Sequence, residues 1–275
     1  MIGGCLKHIL SYMKLCRFDA AAIAFFSYLV GAELGGGVDI HDVFIAAAVT
    51  LISINFIYSF NSWADRALDQ VDKPLRPIPS GKIRPGPAFV YSVALLILSV
   101  GYPFWVSRSG LTLFLFLMLP VLGLVYSAEP VRTRKRPFLS IVTICAGLVT
   151  PIMLGYFMHT ADLSMSNVFL VLFLFCLSVV PLKQAEEVDV DHRAGYRNLY
   201  SKYGKNIIIW SLCGLSLVLL LTFVVNMKIF FKVQMVVFSL SAAGCILVYA
   251  FLKENLKPLY QRIIHIVIIE GVFFF

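Results

Sequence analysis

The sequence predicts an all-α, polytopic membrane bundle of about nine transmembrane helices with its N-terminus in the cytoplasm. Three observations predict it. The 275-residue chain is 60% hydrophobic and only 14% charged, with a mean hydropathy of +0.87, far from the balance of a soluble domain. Its apolar residues fall in nine continuous runs, roughly 18–34, 41–64, 87–106, 110–127, 138–157, 166–182, 206–226, 232–252 and 260–275. Most are near the ~20 residues that cross a bilayer core, and they are apolar all round rather than striped. The basic residues divide by loop. Lys7, Lys14, Arg17, Arg66, Lys73, Arg76, Lys82, Arg84, Arg132, Arg134, Lys135, Arg136, Lys183, Arg193, Arg197, Lys202, Lys205, Lys253, Lys257 and Arg262 lie on one set. Only Arg108, Lys228 and Lys232 lie on the other. Twenty against three is a strong positive-inside signal.

The elements follow in order. The first run starts at about residue 18 without a small-residue cleavage site, which argues against a removable signal peptide. Asp19, beside Arg17-Phe18, pairs with that arginine or is hydrated at the boundary. Gly35–Gly37 turns the chain into the second run, which ends in Asn61–Asp69, NSWADRALD. The residue before Pro74 is pushed out of the helical region, so Asp72-Lys73-Pro74 ends this helix. Arg76-Pro77-Ile78-Pro79-Ser80-Gly81-Lys82 then forms a stiff loop. The fourth run closes on Tyr126-Ser127-Ala128-Glu129-Pro130, followed by Arg132, Arg134, Lys135 and Arg136. The sixth runs into KQAEEVDVD, so runs two and six share a weak internal symmetry. The last run is short and carries Arg262, His265 and Glu270. A charge at mid-span is costly, so Glu270 is protonated or the segment does not cross fully. No domain-sized polar segment interrupts the chain, and residues 1–275 read as a single membrane domain.

Several function classes drop out. The +8 net charge invites a nucleic-acid partner, but its distribution is that of loop orientation, and none is expected. Cys5, Cys16, Cys145, Cys176, Cys213 and Cys245 show no C-x-x-C spacing and read as small apolar residues. The five histidines do not cluster, and neither a phosphate loop nor a G-x-G-x-x-G turn is present.

The chemistry-bearing residues are acidic. Asn61, Asp65 and Asp69 stand at i, i+4 and i+8, one stripe on a helix. Glu187 and Asp191 repeat the spacing, with Lys183 one turn earlier and Glu186 and Asp189 facing elsewhere. Carboxylates at membrane helix ends are expensive and therefore functional by default. Two such stripes are what a pair of Mg²⁺ ions holding a diphosphate requires, because Mg²⁺ takes oxygen ligands and is held by one or two carboxylates plus substrate phosphates. The metal set is then Asn61, Asp65, Asp69, Glu187 and Asp191, with Asp72 either joining it or capping the loop. Arg76, Lys82 and Arg84 either present cations to an anion beside this set or face lipid headgroups. Lys183 sits among carboxylates, where it pairs with them or reaches a phosphate oxygen.

Asn61-x-x-x-Asp65-x-x-x-Asp69, the loop Lys73-Pro74-x-Arg76-Pro77-Ile78-Pro79-Ser80-Gly81, and the later Tyr126-Ser127 and Lys135-Arg136 resemble the UbiA superfamily of intramembrane prenyltransferases, over residues 14 to about 260. The resemblance implies a helical bundle around a central lipid-facing cavity, with Mg²⁺ and diphosphate at its cytoplasmic mouth. It implies a diphosphate site drawing on Asn61, Arg76, Lys82, Lys135, Arg136 and Lys183. The second motif departs from the pattern: Glu187 replaces an aspartate, Gln184 stands where an extra aspartate is common, and Asn198-Leu199-Tyr200 replaces T-L-P.

The expected function is Mg²⁺-dependent transfer of a polyprenyl group from an allylic prenyl diphosphate to a small or lipid acceptor, an aromatic ring or a glycerol-phosphate or alcohol hydroxyl. Asp65, Asp69, Glu187, Asp191 and Lys183 carry the chemistry, with the Tyr126 ring beside the developing cation. The loop is most similar to members serving archaeal ether-lipid and chlorophyll synthesis, which implies a geranylgeranyl donor. Two alternatives stay open: the same ionisation ending in cyclisation or phosphoribosyl transfer, and a transporter with a carboxylate cation path. A transporter would place its ionisable groups near the midplane of broken helices. The expected location is a prokaryotic plasma membrane, with membrane lipids as neighbours and the active site on the cytoplasmic side.

Overall fold

The computed structural model describes residues 11–12, 14–15, 17–193, 195–225, 229–251 and 258–274, and the described residues contain helices and no strand. Cys5, Cys16, Lys7, Lys253, Lys257 and the side chains of Asp19 and Glu270 lie outside the described residues. Among the described residues, seven helical segments are long and apolar enough to cross a bilayer: Ile40–Ala64, Pro85–Val106, Gly110–Ser127, Pro137–His159, Ser166–Glu186, Asn206–Val224 and Phe231–Phe251. Of the nine expected runs, the first lies on the 18-residue helix Phe18–Gly35, and the last is the 16-residue helix Leu259–Phe274. Large apolar side chains such as Phe44, Trp105, Phe223 and Phe251 point outward, a surface suited to lipid.

The chain divides into two compact units, residues 1–134 with 150–161, and residues 135–149 with 162–275. The first holds α1 (Phe18–Gly35), α2 (Ile40–Ala48), a π-helical turn (Val49–Ile54), α3 (Asn55–Ala64), α4 (Arg66–Asp72), α5 (Pro85–Gly101), α6 (Pro103–Val106), α7 (Gly110–Ser127) and the end of α8 (Pro137–His159). Local chemistry sets several boundaries. Asp39 and Asp42 form a reciprocal capping box at 3.0 and 2.9 Å that opens α2. The Asp42 backbone N–H holds the Asp39 carboxyl below the usual carboxylate range. Ser109 and Thr112 repeat the device at α7, and Pro85 occupies the first turn of α5, where its missing N–H costs nothing.

Packing in this unit depends on two glycines. A Cβ on Gly31 would overlap the Ile152 carbonyl oxygen and one on Gly155 that of Tyr28, so α1 and α8 touch backbone to backbone as membrane helices do at small residues. Nearby, buried Asp42 accepts from the Tyr28 hydroxyl at 3.4 Å and pairs with His159 Nε2 at 2.9 Å. Between α3 and α5, Phe56, Phe60, Trp63 and Phe89 stack in series with centroid spacings of 5.6, 5.7 and 4.5 Å. The ladder leads to the end of α3, where the first acidic motif begins.

The second unit holds the start of α8, α9 (Ser166–Val179), a 3-10 turn (Val180–Leu182), α10 (Lys183–Glu186), α11 (Val188–Arg193), α12 (Leu199–Tyr203), α13 (Asn206–Val224), α14 (Ile229–Phe251) and α15 (Leu259–Phe274). Helix α13 packs on α9 and α14, and α14 on α15. Ile141, Cys145 and Val180 centre an apolar cluster that α8 shares with the turn before α10. Among the described residues, Cys145, Cys176 and Cys213 are free thiols.

Candidate functional site

The first acidic motif straddles a helix break. Helix α3 stops at Ala64, and Asp65 takes φ −93°, ψ 7° before α4 begins. The hydrogen-bond rungs continue, with the Asp65 N–H donating to Asn61 O and the Asp69 N–H to Asp65 O, both at 2.9 Å. Asn61, Asp65 and Asp69 therefore keep one face despite the break. Asp65 is 1% exposed and Asp69 2%. Buried carboxylates need partners, and both have them. Asn61 Nδ2 donates to Asp65 Oδ2 at 2.8 Å and to Ser127 Oγ at 3.2 Å. Arg132 reaches Asp65 Oδ1 at 2.7 Å, and Arg134 pairs with Oδ2. Arg76 pairs with Asp69 Oδ2 at 2.7 Å.

The loops explain these contacts. Helix α4 ends at Asp72, which pairs with Lys73 at 3.4 Å. The loop then anchors Ile78 and Ile83 in an apolar cluster with Leu15 and Ala88, packed by Tyr12, Trp63 and Tyr91. A Ser80 N–H to Arg76 O bond of 2.9 Å and an Ile83 N–H to Pro77 O bond of 3.0 Å close it. Arg76 is thereby aimed at Asp69, while Lys82 and Arg84 are exposed. After α7, Arg132 has φ +29°, a left-handed conformation that costs a non-glycine residue energy and clusters at functional sites. This reversal brings Arg132 and Arg134 to one carboxylate. The first motif thus assembles three guanidiniums on two buried carboxylates, with Glu129 as a further partner of Arg132 at 3.2 Å. Arg134 Nε is also buried without a hydrogen-bond partner among the described residues. Tyr126, nominated for its ring, is half-buried on the last turn of α7.

The second motif, within the other unit, repeats the design. Glu187 takes φ −93°, ψ 1° between α10 and α11, and the rungs Glu187 N–H to Lys183 O and Asp191 N–H to Glu187 O persist at 3.2 and 2.9 Å. Lys183, Glu187 and Asp191 thus correspond to Asn61, Asp65 and Asp69, down to the broken residue. Lys183 Nζ pairs with Glu187 at 3.0 Å. Asp191, 7% exposed, accepts from Asn198 Nδ2 at 2.6 Å. Glu186 turns away to Gln261 on α15. Lys135 is exposed, with its ammonium 5.8 Å from the Tyr196 ring, and Arg136 is exposed.

The resemblance points to Lys135 and Arg136 for the diphosphate, and the structure shows Arg132 and Arg134 as the residues of this run that contact Asp65. Ser127, Gln184 and Asn198 also went unnominated. The T-L-P replacement marked Asn198, but spacing did not connect it to Asp191.

Seven apolar spans, with buried carboxylates set at helix breaks and faced by arginines, define a polytopic membrane protein that handles concentrated charge at the ends of its helices. The family model described as the UbiA prenyltransferase family matches residues 21–263, and the chain belongs to that family. It is similar to the digeranylgeranylglyceryl phosphate synthases of Methanococcus aeolicus (24% identical over 206 residues, 72% of this chain and 70% of that one) and Saccharolobus solfataricus (26% over 218 residues, 77% and 74%). The solved structure of a UbiA homolog from Archaeoglobus fulgidus bound to GPP and Mg²⁺ shares the fold, with a TM-score of 0.73 at 18% identity over 96% of this chain and 99% of that one.

Proposed function

We propose that this chain transfers a polyprenyl group from an allylic prenyl diphosphate to the hydroxyl of a glycerol-phosphate-type lipid precursor, with Mg²⁺ as cofactor. The observation that carries the reading is the first motif, where three guanidiniums meet two buried carboxylates. Such a site offers oxygens to a hard cation and N–H groups to an anion within one constellation. The names of the two similar synthases support the acceptor class.

The donor set fits Mg²⁺, being carboxylate and amide oxygens with no thiolate or imidazole. Among the described residues, no three acidic, histidine or cysteine side chains form a ready cage. That suits an ion held by one or two carboxylates and completed by substrate phosphates. Asn61, Asp65 and Asp69 would hold it in the first motif, and Glu187 and Asp191 in the second. Bound there, Mg²⁺ supplies charge neutralisation of the phosphate oxygens.

The chain's own cations do the remaining work. Arg76, Arg132, Arg134 and Lys183 stabilise pyrophosphate as the allylic C–O bond breaks and the electron pair leaves with it. Lys82, Lys135 and Arg136 are exposed and steer the anion. The Tyr126 ring faces the allylic cation. The acceptor oxygen then forms the new C–O bond and gives up its proton to the departed pyrophosphate.

The purified enzyme, incubated with labelled prenyl diphosphates of graded length and a panel of hydroxyl and aromatic acceptors, is expected to move label onto a glycerol-phosphate lipid only with Mg²⁺ present. Label found in a cyclic hydrocarbon or on an aromatic ring would overturn the acceptor assignment.

The nine-span, N-inside topology with a cytoplasmic site is part of the proposal, supported by the twenty-to-three division of basic residues. In a cysteine-free background, single cysteines at exposed Ser80, Lys135 and Lys202 should label from the cytoplasmic side, and one at exposed Asp162 from the other. Labelling of positions 80 and 202 from opposite faces would overturn the N-inside topology with a cytoplasmic site.

A further inference from the structure

The Asn198 side chain is 3% exposed and all its polar capacity is engaged. Nδ2 donates to Asp191 Oδ2 at 2.6 Å and to the Gln184 carbonyl at 3.0 Å. Oδ1 accepts from the Tyr200 N–H at 2.8 Å and the Ser201 N–H at 3.4 Å, capping α12. The partners determine the amide's orientation, because a flip would set oxygen against a carboxylate and a carbonyl, and nitrogen against two N–H groups. Gln184 is equally committed: Oε1 accepts from the Leu199 N–H at 2.7 Å and Nε2 donates to the Pro137 carbonyl at 3.0 Å. It is a strut between α10, the start of α8 and the loop before α12.

We propose that Asn198 is a positioning residue for Asp191: its amide, pinned by Gln184 and the N-terminus of α12, fixes the carboxylate that the proposed metal-diphosphate site uses. The assignment rests on that reading of Asp191. A 2.6 Å bond to an ionised acceptor is short and strong. It comes from a buried side chain on the loop before α12 rather than from Asp191's own helix, so it holds the carboxylate against rotation. Partners that orient a metal-ligating carboxylate typically contribute about 10–100-fold in metal affinity or activity. Gln184, in the position where the resemblance expects an extra acid, contributes to the framework and not to the ion.

The test is Asn198→Ser, which keeps an oxygen to cap α12 and removes the amide donor. The readouts are Mn²⁺ affinity by electron paramagnetic resonance in the presence of the unreactive donor analogue geranyl thiolodiphosphate, and the melting temperature in EDTA. Asn198→Ser is expected to weaken Mn²⁺ binding by about 10–100-fold with a melting temperature within a few degrees of the parent. In an Asp191→Asn background it should produce no further loss. Unchanged Mn²⁺ affinity in Asn198→Ser, while Asp191→Asn loses it, would overturn the positioning role and leave the site standing. Full affinity in Asp191→Asn would remove the site itself. A loss of equal size in both backgrounds would show that Asn198 does not act through Asp191. Should serine yield too little folded protein, Asn198→Thr, which also keeps the cap oxygen, runs the same comparison.

Discussion

Asp65→Asn is expected to end Mg²⁺-dependent prenyl transfer and to destabilise the protein at the same time, whereas Asp191→Asn ends transfer and leaves the fold close to the parent. The two substitutions delete the same charge, and their surroundings make the difference. Asp65 is the shared counter-ion of Arg132 and Arg134, whose side chains are 14% and 8% exposed. Removing one member of a buried ion pair leaves an uncompensated charge and typically costs about 3–5 kcal/mol. Asp191 takes its 2.6 Å bond from a neutral amide, and an asparagine oxygen can still accept it, so the change to this bond costs about 1 kcal/mol. Both variants should lower turnover at least about a hundredfold, because neutralising the leaving diphosphate is worth several kcal/mol. Glu187→Gln should do the same if it serves in place of an aspartate. Melting temperatures in EDTA, read beside Mg²⁺-dependent turnover, separate the effects. Parent-level turnover in any of the three would remove that residue from the site.

The second large effect concerns the cations. Arg76→Met, Arg134→Met and Lys183→Met are each expected to slow single-turnover pyrophosphate release by about 10²–10³ at saturating acceptor. An interaction realised as charge develops on the leaving group appears in the rate of the chemical step more than in acceptor binding. Arg134 is the most demanding of the three, since its Nε–H is buried without a partner among the described residues. Its removal leaves Asp65 paired with Arg132, so the fold should tolerate it. Lys202, whose ammonium lies 5.0 Å from the Tyr203 ring, and Lys205 are exposed and should change little. If Lys202→Met and Lys205→Met proved as damaging, the pyrophosphate contacts would belong to the whole basic surface and not to the motif.

Much of this was legible in the residues. Long apolar runs identified the spanning segments because the bilayer admits only helices that satisfy their own backbone. The four-residue carboxylate spacing survived into the structure for a specific reason. Both motifs break their helix, at Asp65 and at Glu187, yet the N–H to carbonyl rungs on either side of each break persist. A pattern reader assuming unbroken helices therefore reached the right face through an incomplete picture. Arg76 could be found because Pro77, Pro79 and the apolar Ile78 announce a rigid loop.

The cations after α7 were a different problem. Arg132, Arg134, Lys135 and Arg136 form one run with nothing in their spacing to rank them. A left-handed Arg132 turns two of them onto Asp65, and no side-chain periodicity encodes that reversal. Asn198 was hidden likewise, seven residues beyond Asp191 across a loop. By itself, the sequence determined the class, the seven long apolar segments and the carboxylate spacing, because hydrophobicity and helical periodicity act locally and repeat. Only the tertiary structure decided which cation and which amide each carboxylate holds, because a buried charge takes the partner that chain reversal delivers within hydrogen-bonding distance.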